Sequence, residues 1–163
     1  AWQARGPLAR AELLDRIAAM APRPLDAADL HARWLGMFER WDEMFDLATG
    51  LMDDYRVYLL SNVGDLHWAH LDAQYGIDRL VHGAVASYRV GAIKPSTEIY
   101  RKTEALFDLD PAVTVFIDDL PQNVAGARAC GWHAIQQGPE ARATRDALRA
   151  LGVRLPARFA GEG

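Results

Sequence analysis

Two adjacent carboxylates, Asp118 and Asp119, end the apolar run from Val113 to Ile117, and neighbouring anions repel unless a cation or a shared proton relieves them. Magnesium suits such a pair, because it is a hard ion commonly held by one or two carboxylates while it keeps several waters. The plainer alternative is that the acids only cap the helix opened by Leu120 or Pro121, where Asp is favourable. Upstream, Ser61 and Asn62 follow the apolar stretch Tyr55 to Leu60 and offer a hydroxyl and exposed backbone amides, which suit an anion. An ordinary turn rich in Ser, Asn and Gly would read the same way. Lys94 stands just before Pro95 and Ser96, which open a helix. A lysine beside a helix N-terminus makes a strong site for a doubly charged anion, although an isolated loop lysine is usually solvated. Asn123 follows the acid pair. In chain order these residues supply a hydroxyl and amides, a positive charge, and carboxylates for a metal, which is most of a phosphoryl-transfer site. His67 and His70, three apart, are close enough to share a metal, but no carboxylate or cysteine pattern accompanies them, and packing is the better reading.

Each of these groups needs an element to aim it. The run Val113 to Ile117, bounded by Pro111 and Pro121, reads as a strand buried on both faces of a parallel sheet, with the acids at its carboxyl end, where open α/β sheets bind ligands. Tyr55 to Leu60, a segment within Leu80 to Ser87, and Trp132 to Ile135 read as further strands. Between them the pattern predicts helices over Asp65 to Tyr75 with Gly76 as C-cap, from Pro95 or Ser96 to Phe107, over Val124 to Ala129, and over Ala141 to Leu151. The loop from Tyr88 to Pro95 carries Lys94. Residues 1–50 contain no strand candidate. They predict an amphipathic helix from Leu8 to Met20, and a second from an Asp26 N-cap to about Leu47, with a stripe of Leu30, Trp34, Met37, Trp41, Met44 and Phe45 that reads as core. Strands alternating with helices argue for right-handed βαβ units and a parallel sheet.

Composition narrows the classes. The 163 residues make one domain's worth of chain, half apolar and a quarter charged. The net charge of −4 gives no basic footprint for nucleic acid. No apolar run approaches a membrane span. The single cysteine, Cys130, cannot form an internal disulfide, which points to a reducing compartment and a cytoplasmic location.

Three ordered segments, LLSN at 59–62, VGAIKPSTEIYR at 90–101 and VFIDDLPQNVAGARACGWHAI at 115–135, resemble the haloacid dehalogenase-like (HAD) hydrolase superfamily, in particular its small sugar-phosphate phosphatases of the glucose-1-phosphate type. The resemblance implies a Rossmann-like three-layer α/β/α core with a parallel sheet over residues 51–163, and a partial helical cap over residues 1–50. It further implies that Ser61 and the Asn62 amide bind a phosphoryl group, that Lys94 neutralises it and the nucleophile, and that Asp118 binds Mg²⁺ with Asp119 assisting. Asn123 would help hold the loop and border the substrate. The dehalogenases proper replace the acid pair with neutral residues, so Asp118 and Asp119 favour a phosphatase acting on a small phosphorylated metabolite through an aspartyl-phosphate. The family's first motif, an Asp nucleophile at the end of the first, central strand, is absent. Asp108 and Asp110, and Asp53 and Asp54, precede strands instead of ending them. The expectation is therefore a fragment that lacks the nucleophile and its central strand, is inactive and unstable alone, and needs its missing N-terminal segment or a partner chain to complete the sheet. A non-catalytic metal- and phosphate-binding protein, and a 2-haloacid dehalogenase-type hydrolase, are the alternatives.

Overall fold

Short β-branched and aromatic runs alternating with helical segments give four parallel strands in the computed structural model, which describes residue 20, residues 26–36 and residues 40–159. Two helices, α1 (Ala27–Leu35) and α2 (Asp42–Leu51), lead into β1 (Tyr58–Ser61). Then come α3 (Asp65–Tyr75), the single turn α4 (Ile77–Leu80), β2 (Gly83–Ala86), the single turn α5 (Ser87–Val90) and α6 (Thr97–Phe107). A 3₁₀ turn, Pro111–Val113, precedes β3 (Val115–Asp118), which is followed by α7 (Pro121–Ala129), β4 (His133–Gln136) and α8 (Ala141–Ala150). A last 3₁₀ turn, Ala157–Phe159, tucks Phe159 into the core.

The strands form two separate two-stranded parallel sheets, β1 with β2 and β3 with β4. Among the described residues no strand joins the halves. A parallel ladder directs alternate residues to opposite edges, so the direction of each free edge can be read from the paired one. On β3 the Thr114 carbonyl accepts from His133 and the Asp118 carbonyl from Gln137, which turns the backbone groups of Val115 and Ile117 away from β4. On β1 the Val57 carbonyl accepts from His82, which likewise turns those of Tyr58 and Leu60 away from β2.

Helices cover both faces of β3. Phe116 lies in a core cluster with Val85, Ile99, Tyr100, Val124, Ala127 and Trp132, while Val115 and Ile117 pack against Leu47, Ile135, Leu148 and Phe159 on the other side. Leu60 of β1 packs against the same cluster as Phe116, so the two half-sheets share a core although they share no ladder. Tyr100, Phe116 and Trp132 meet edge to face at centroid distances of 5.5–6.0 Å, a favourable aromatic geometry. Where α7 crosses the start of α6, a Cβ on Gly126 would lie 2.8 Å from the Pro95 carbonyl oxygen and 3.0 Å from Tyr100 Cε2. Gly126→Ala should therefore force α7 away from Pro95 and lower stability by about 1–3 kcal/mol, the usual range for overpacking, with a urea titration as the check.

Several expectations change in detail. The helix expected from Asp26 to Leu47 is two helices, because the chain turns at Gly36 after α1 and restarts at Asp42. The aromatic stripe is split by that turn. Trp34 is 39% exposed and stacks on His67, and Met44 packs beside the buried Leu47. α2 runs through the position expected for the boundary at residue 50 and joins the core through Leu47. The loop from Tyr88 begins as α5, which Gly91 ends at φ 66°. α7 begins at Pro121, three residues before the expected Val124, because proline suits the first helical turn. The helix expected over Leu8 to Met20 lies outside the described residues except at Met20.

Candidate active site

Lys94 closes the gap between the half-sheets at the carboxyl ends of their strands. Its Nζ donates to the Leu60 carbonyl at 2.8 Å and to Asp118 Oδ2 at 2.6 Å, and it lies 5.4 Å from the Phe116 ring centroid. The Leu60 carbonyl is one of the groups that the ladder turns away from β2, so the ammonium occupies the free edge of β1 and the end of β3 at once. The side chains of Lys94 and Asp118 are only 9% and 5% exposed, which makes this a buried ion pair in which each charge depends on the other. An ammonium has three donors, and two of them are used by Leu60 and Asp118.

Asp118 is held from its other side as well. Its Oδ1 accepts from the Leu120 backbone N–H at 3.0 Å and from Asn123 Nδ2 at 2.8 Å. The carboxylate therefore organises the turn into α7, but Leu120 is the N-cap residue and neither acid caps that helix through its side chain in the ordinary way. Asn123 is 3% exposed and uses its amide to fix Asp118, so it holds the loop from within and does not line open space. Asp119 is exposed immediately beyond Asp118.

The Ser61 to Gly64 loop is clasped twice. Asn62 Nδ2 donates to the Lys94 carbonyl at 2.9 Å, and the Lys94 N–H donates to Asn62 Oδ1 at 2.8 Å. The Asn62 side chain thus fixes the lysine's main chain, a role distinct from the backbone-amide contact expected of this residue. Ser87, buried at the start of α5, accepts from the Val63 N–H at 3.0 Å and donates to the Val63 carbonyl at 3.1 Å. Ser61 ends β1 beside these clasps. The side chains that the sequence reading sets aside as donors lie elsewhere. His67 Nε2 sits 2.7 Å from the Trp34 carbonyl, and no group of three His, Cys, Asp or Glu among the described residues is placed to hold a metal. Asp54 pairs with Arg154 at 2.6 Å ahead of β1, and Asp110 Oδ1 accepts from Ala112 in the turn before β3. Both acids belong to the opposite ends of the strands from Lys94.

Tyr100 is fully buried, and its hydroxyl donates to the Asn123 carbonyl at 2.7 Å. Burial, reinforced by the nearby Asp118 charge and then by the electrostatic influence of Cys130, pushes its pKa from 10 up to about 12. The neutral phenol is thus favoured by the folded state. Its stabilising effect is complete below pH 10 and is lost as pH rises towards 12, where the unfolded chain ionises more readily. A two-unit difference is worth about 2.7 kcal/mol in full, most of it expressed by pH 12, so wild type should lose about 2 kcal/mol relative to Tyr100→Phe between pH 9 and pH 12 in paired urea titrations.

A family model described as a haloacid dehalogenase-like hydrolase matches residues 5–131. The chain is 27% identical over 139 residues to D-ribitol-5-phosphate phosphatase of Bacteroides thetaiotaomicron, covering 80% of this chain and 67% of that protein. The crystal structure of a HAD family enzyme from the same organism, in its magnesium complex, superposes with a TM-score of 0.71 at 26% identity, covering 83% of this chain and 73% of that one. A predicted HAD-like family hydrolase from Porphyromonas gingivalis gives 0.69 at 28% identity, with 86% and 72% covered. An L-2-haloacid dehalogenase, at 21% identity and a TM-score of 0.64, shares the fold. Among the described residues no helix is long and apolar enough to cross a membrane.

Proposed function

We propose, from the premise that this chain belongs to the haloacid dehalogenase-like hydrolases, that it supplies the cation, the metal-binding acid and the anion loop of a phosphatase for a small sugar or polyol phosphate. The observation that carries this reading is the Lys94 ammonium held between Leu60 and Asp118 at the strands' carboxyl ends, with Ser61 beside it. The chemistry of its third donor suits an anionic oxygen. The likeness to a D-ribitol-5-phosphate phosphatase supports a phosphate monoester as substrate.

The donor set fits magnesium. Asp118 Oδ1 already has two donors, but Oδ2 accepts only from Lys94 and keeps a lone pair, and Asp119 adds a second carboxylate next in sequence. Asp118 through Oδ2 and Asp119 would hold the ion, whose remaining positions are water or substrate, in keeping with magnesium's habit. When bound it would offset charge on the phosphoryl oxygens. Lys94 then neutralises the same oxygens from the β1 side, Asn62 fixes the lysine's main chain, and Asn123 keeps Asp118 from rotating.

Neither Asp54 nor Asp110 is aimed at this cluster as a nucleophile. The acids ahead of β1 and β3 are held at the other ends of the strands. The free edges of β1 and β3, bridged only at one end by Lys94, fit one further parallel strand whose terminal carboxylate would enter beside the ammonium and form the aspartyl-phosphate. On this reading the chain by itself has no turnover, and the protein that contains that strand hydrolyses phosphate esters. The test is release of inorganic phosphate from a panel of sugar and polyol phosphates, with and without Mg²⁺, by this chain and by a chain extended at its N-terminus. Magnesium-dependent release by the extended chain alone is expected. Absence of release in both, together with Mg²⁺-dependent phosphate binding, would replace the enzyme with a binding protein.

A further inference from the structure

The Lys94–Asp118 pair is correct only if two helices, α6 and α7, are held in one register, and one side chain joins them. Lys94 and Pro95 lead into α6, while Asn123, in the first turn of α7, orients Asp118. Tyr100, one helical turn into α6, reaches across and donates to the Asn123 carbonyl. That carbonyl faces along α7, so the phenol takes a second lone pair on a helical oxygen, and it has no water to turn to because Tyr100 is 0% exposed. The helices meet here without slack, since Gly126 leaves no room for a Cβ against Pro95 and the Tyr100 ring. Steric contact sets how closely α7 approaches, but it does not fix sliding along the contact. A directed hydrogen bond does.

We infer that Tyr100 is a positioning residue of the site: its hydroxyl, through Asn123, holds the Asp118 carboxylate in the orientation that meets Lys94. The inference rests on the phosphatase reading for its functional consequence, but the geometric link from Tyr100 to Asn123 and Asp118 stands apart from it. Nothing in the residue type announces the role. Tyr100 packs between Phe116 and Trp132 as any core aromatic would, and a purely structural role for it would end with its ring.

Thr103 separates the two roles. It lies on the same helix, is 2% exposed, and its hydroxyl donates to the Ile99 carbonyl of its own helix with no link to Asp118. Tyr100→Phe and Thr103→Val each delete one buried hydroxyl from α6, and both should lower the unfolding midpoint. In the full chain, the side-chain amide resonances of Asn123, followed by ¹⁵N NMR, should shift and exchange faster with water in Tyr100→Phe and stay in place in Thr103→Val. In the protein that hydrolyses phosphate esters, Tyr100→Phe should lower kcat about tenfold, the scale on which outer-shell partners act, with KM within about twofold, and Thr103→Val should leave both unchanged. Asn123 signals that coincide with wild type in Tyr100→Phe, or that move equally in Thr103→Val, would overturn the inference, and so would an unchanged kcat. If neither this chain nor its N-terminally extended form hydrolyses phosphate esters, the phosphatase reading fails, and the Asn123 resonances still decide whether Tyr100 positions Asp118.

Discussion

Neutralising both partners of the buried pair should cost less stability than the two single neutralisations added together. Lys94→Met leaves the Asp118 carboxylate 5% exposed without its cation, and Asp118→Asn leaves the ammonium at 9% exposure facing an amide. Removing one member of a buried pair typically costs about 3–5 kcal/mol, because the uncompensated charge stays desolvated. The double variant Lys94→Met, Asp118→Asn buries no charge, and the amide oxygen still accepts from Leu120 and Asn123, so the turn into α7 keeps its hydrogen bonds. Its cost should fall short of the sum of the singles by about 2 kcal/mol or more, near the upper range of couplings between contacting residues. Hydrolysis should not follow stability. In the N-terminally extended protein expected to hydrolyse phosphate esters, the singles and the double should each lose about 10²–10³-fold or more in kcat, because the charges act on a transition state that stability does not sense. Urea unfolding of the four chains gives the coupling, and additive costs would mean that the 2.6 Å contact carries no interaction.

The same pair shows what the sequence discloses and what it conceals. That Asp118 and Ser61 end strands, and that Lys94 lies in the connection beyond one, was legible, because apolar runs ending in polar residues mark strand ends, and strand ends share one edge of a parallel sheet. α3 was legible to the residue, since Asp65 opens it and Gly76 closes it in the left-handed conformation at φ 65°. The end of α1 before Gly36 was not, because Trp34 and Trp41 keep helical spacing although α1 ends at Leu35 and α2 begins at Asp42. Spacing records which face a residue prefers, and a chain that stops and restarts a helix can preserve it. Tyr100 and Ser87 were missed for a different reason. Their hydroxyls act on Asn123 and Val63, more than twenty residues away, and no local pattern distinguishes such a hydroxyl from one that packs or solvates. Gly126 carried the one usable signal. A glycine inside a helix costs about 1 kcal/mol relative to alanine, and such a residue usually has a packing reason. Here that reason is Pro95.

In this chain alone, the backbone amides of Tyr58, Leu60, Val115 and Ile117 should exchange with solvent deuterium faster than those of Leu59, Ser61, Phe116 and Asp118. The first set belongs to the edges that the ladders turn away from β2 and β4, while the second set faces those strands. All eight lie within four-residue strands, so differences in general fraying along each strand are averaged by the alternation. Strand protection rises from near zero at an open edge to the global unfolding free energy in a fully paired core. A contrast of about a hundredfold between neighbouring residues would correspond to about 2.8 kcal/mol of local stability. Adding a parallel strand between the halves, by N-terminal extension or as a separate peptide, should erase the alternation, because each free-edge amide then gains a partner. It should also raise the unfolding midpoint by a large margin, since a central strand buries several apolar side chains at about 1.5–3 kcal/mol each. Uniform protection along β1 and β3 in the chain alone would show that the two edges are already satisfied in solution, by one another or by a second copy. The strand that completes the site would then have no place to enter. Alternating protection that vanishes on extension would tie the arrival of the catalytic carboxylate to closure of the sheet, and folding and catalysis would depend on the same strand.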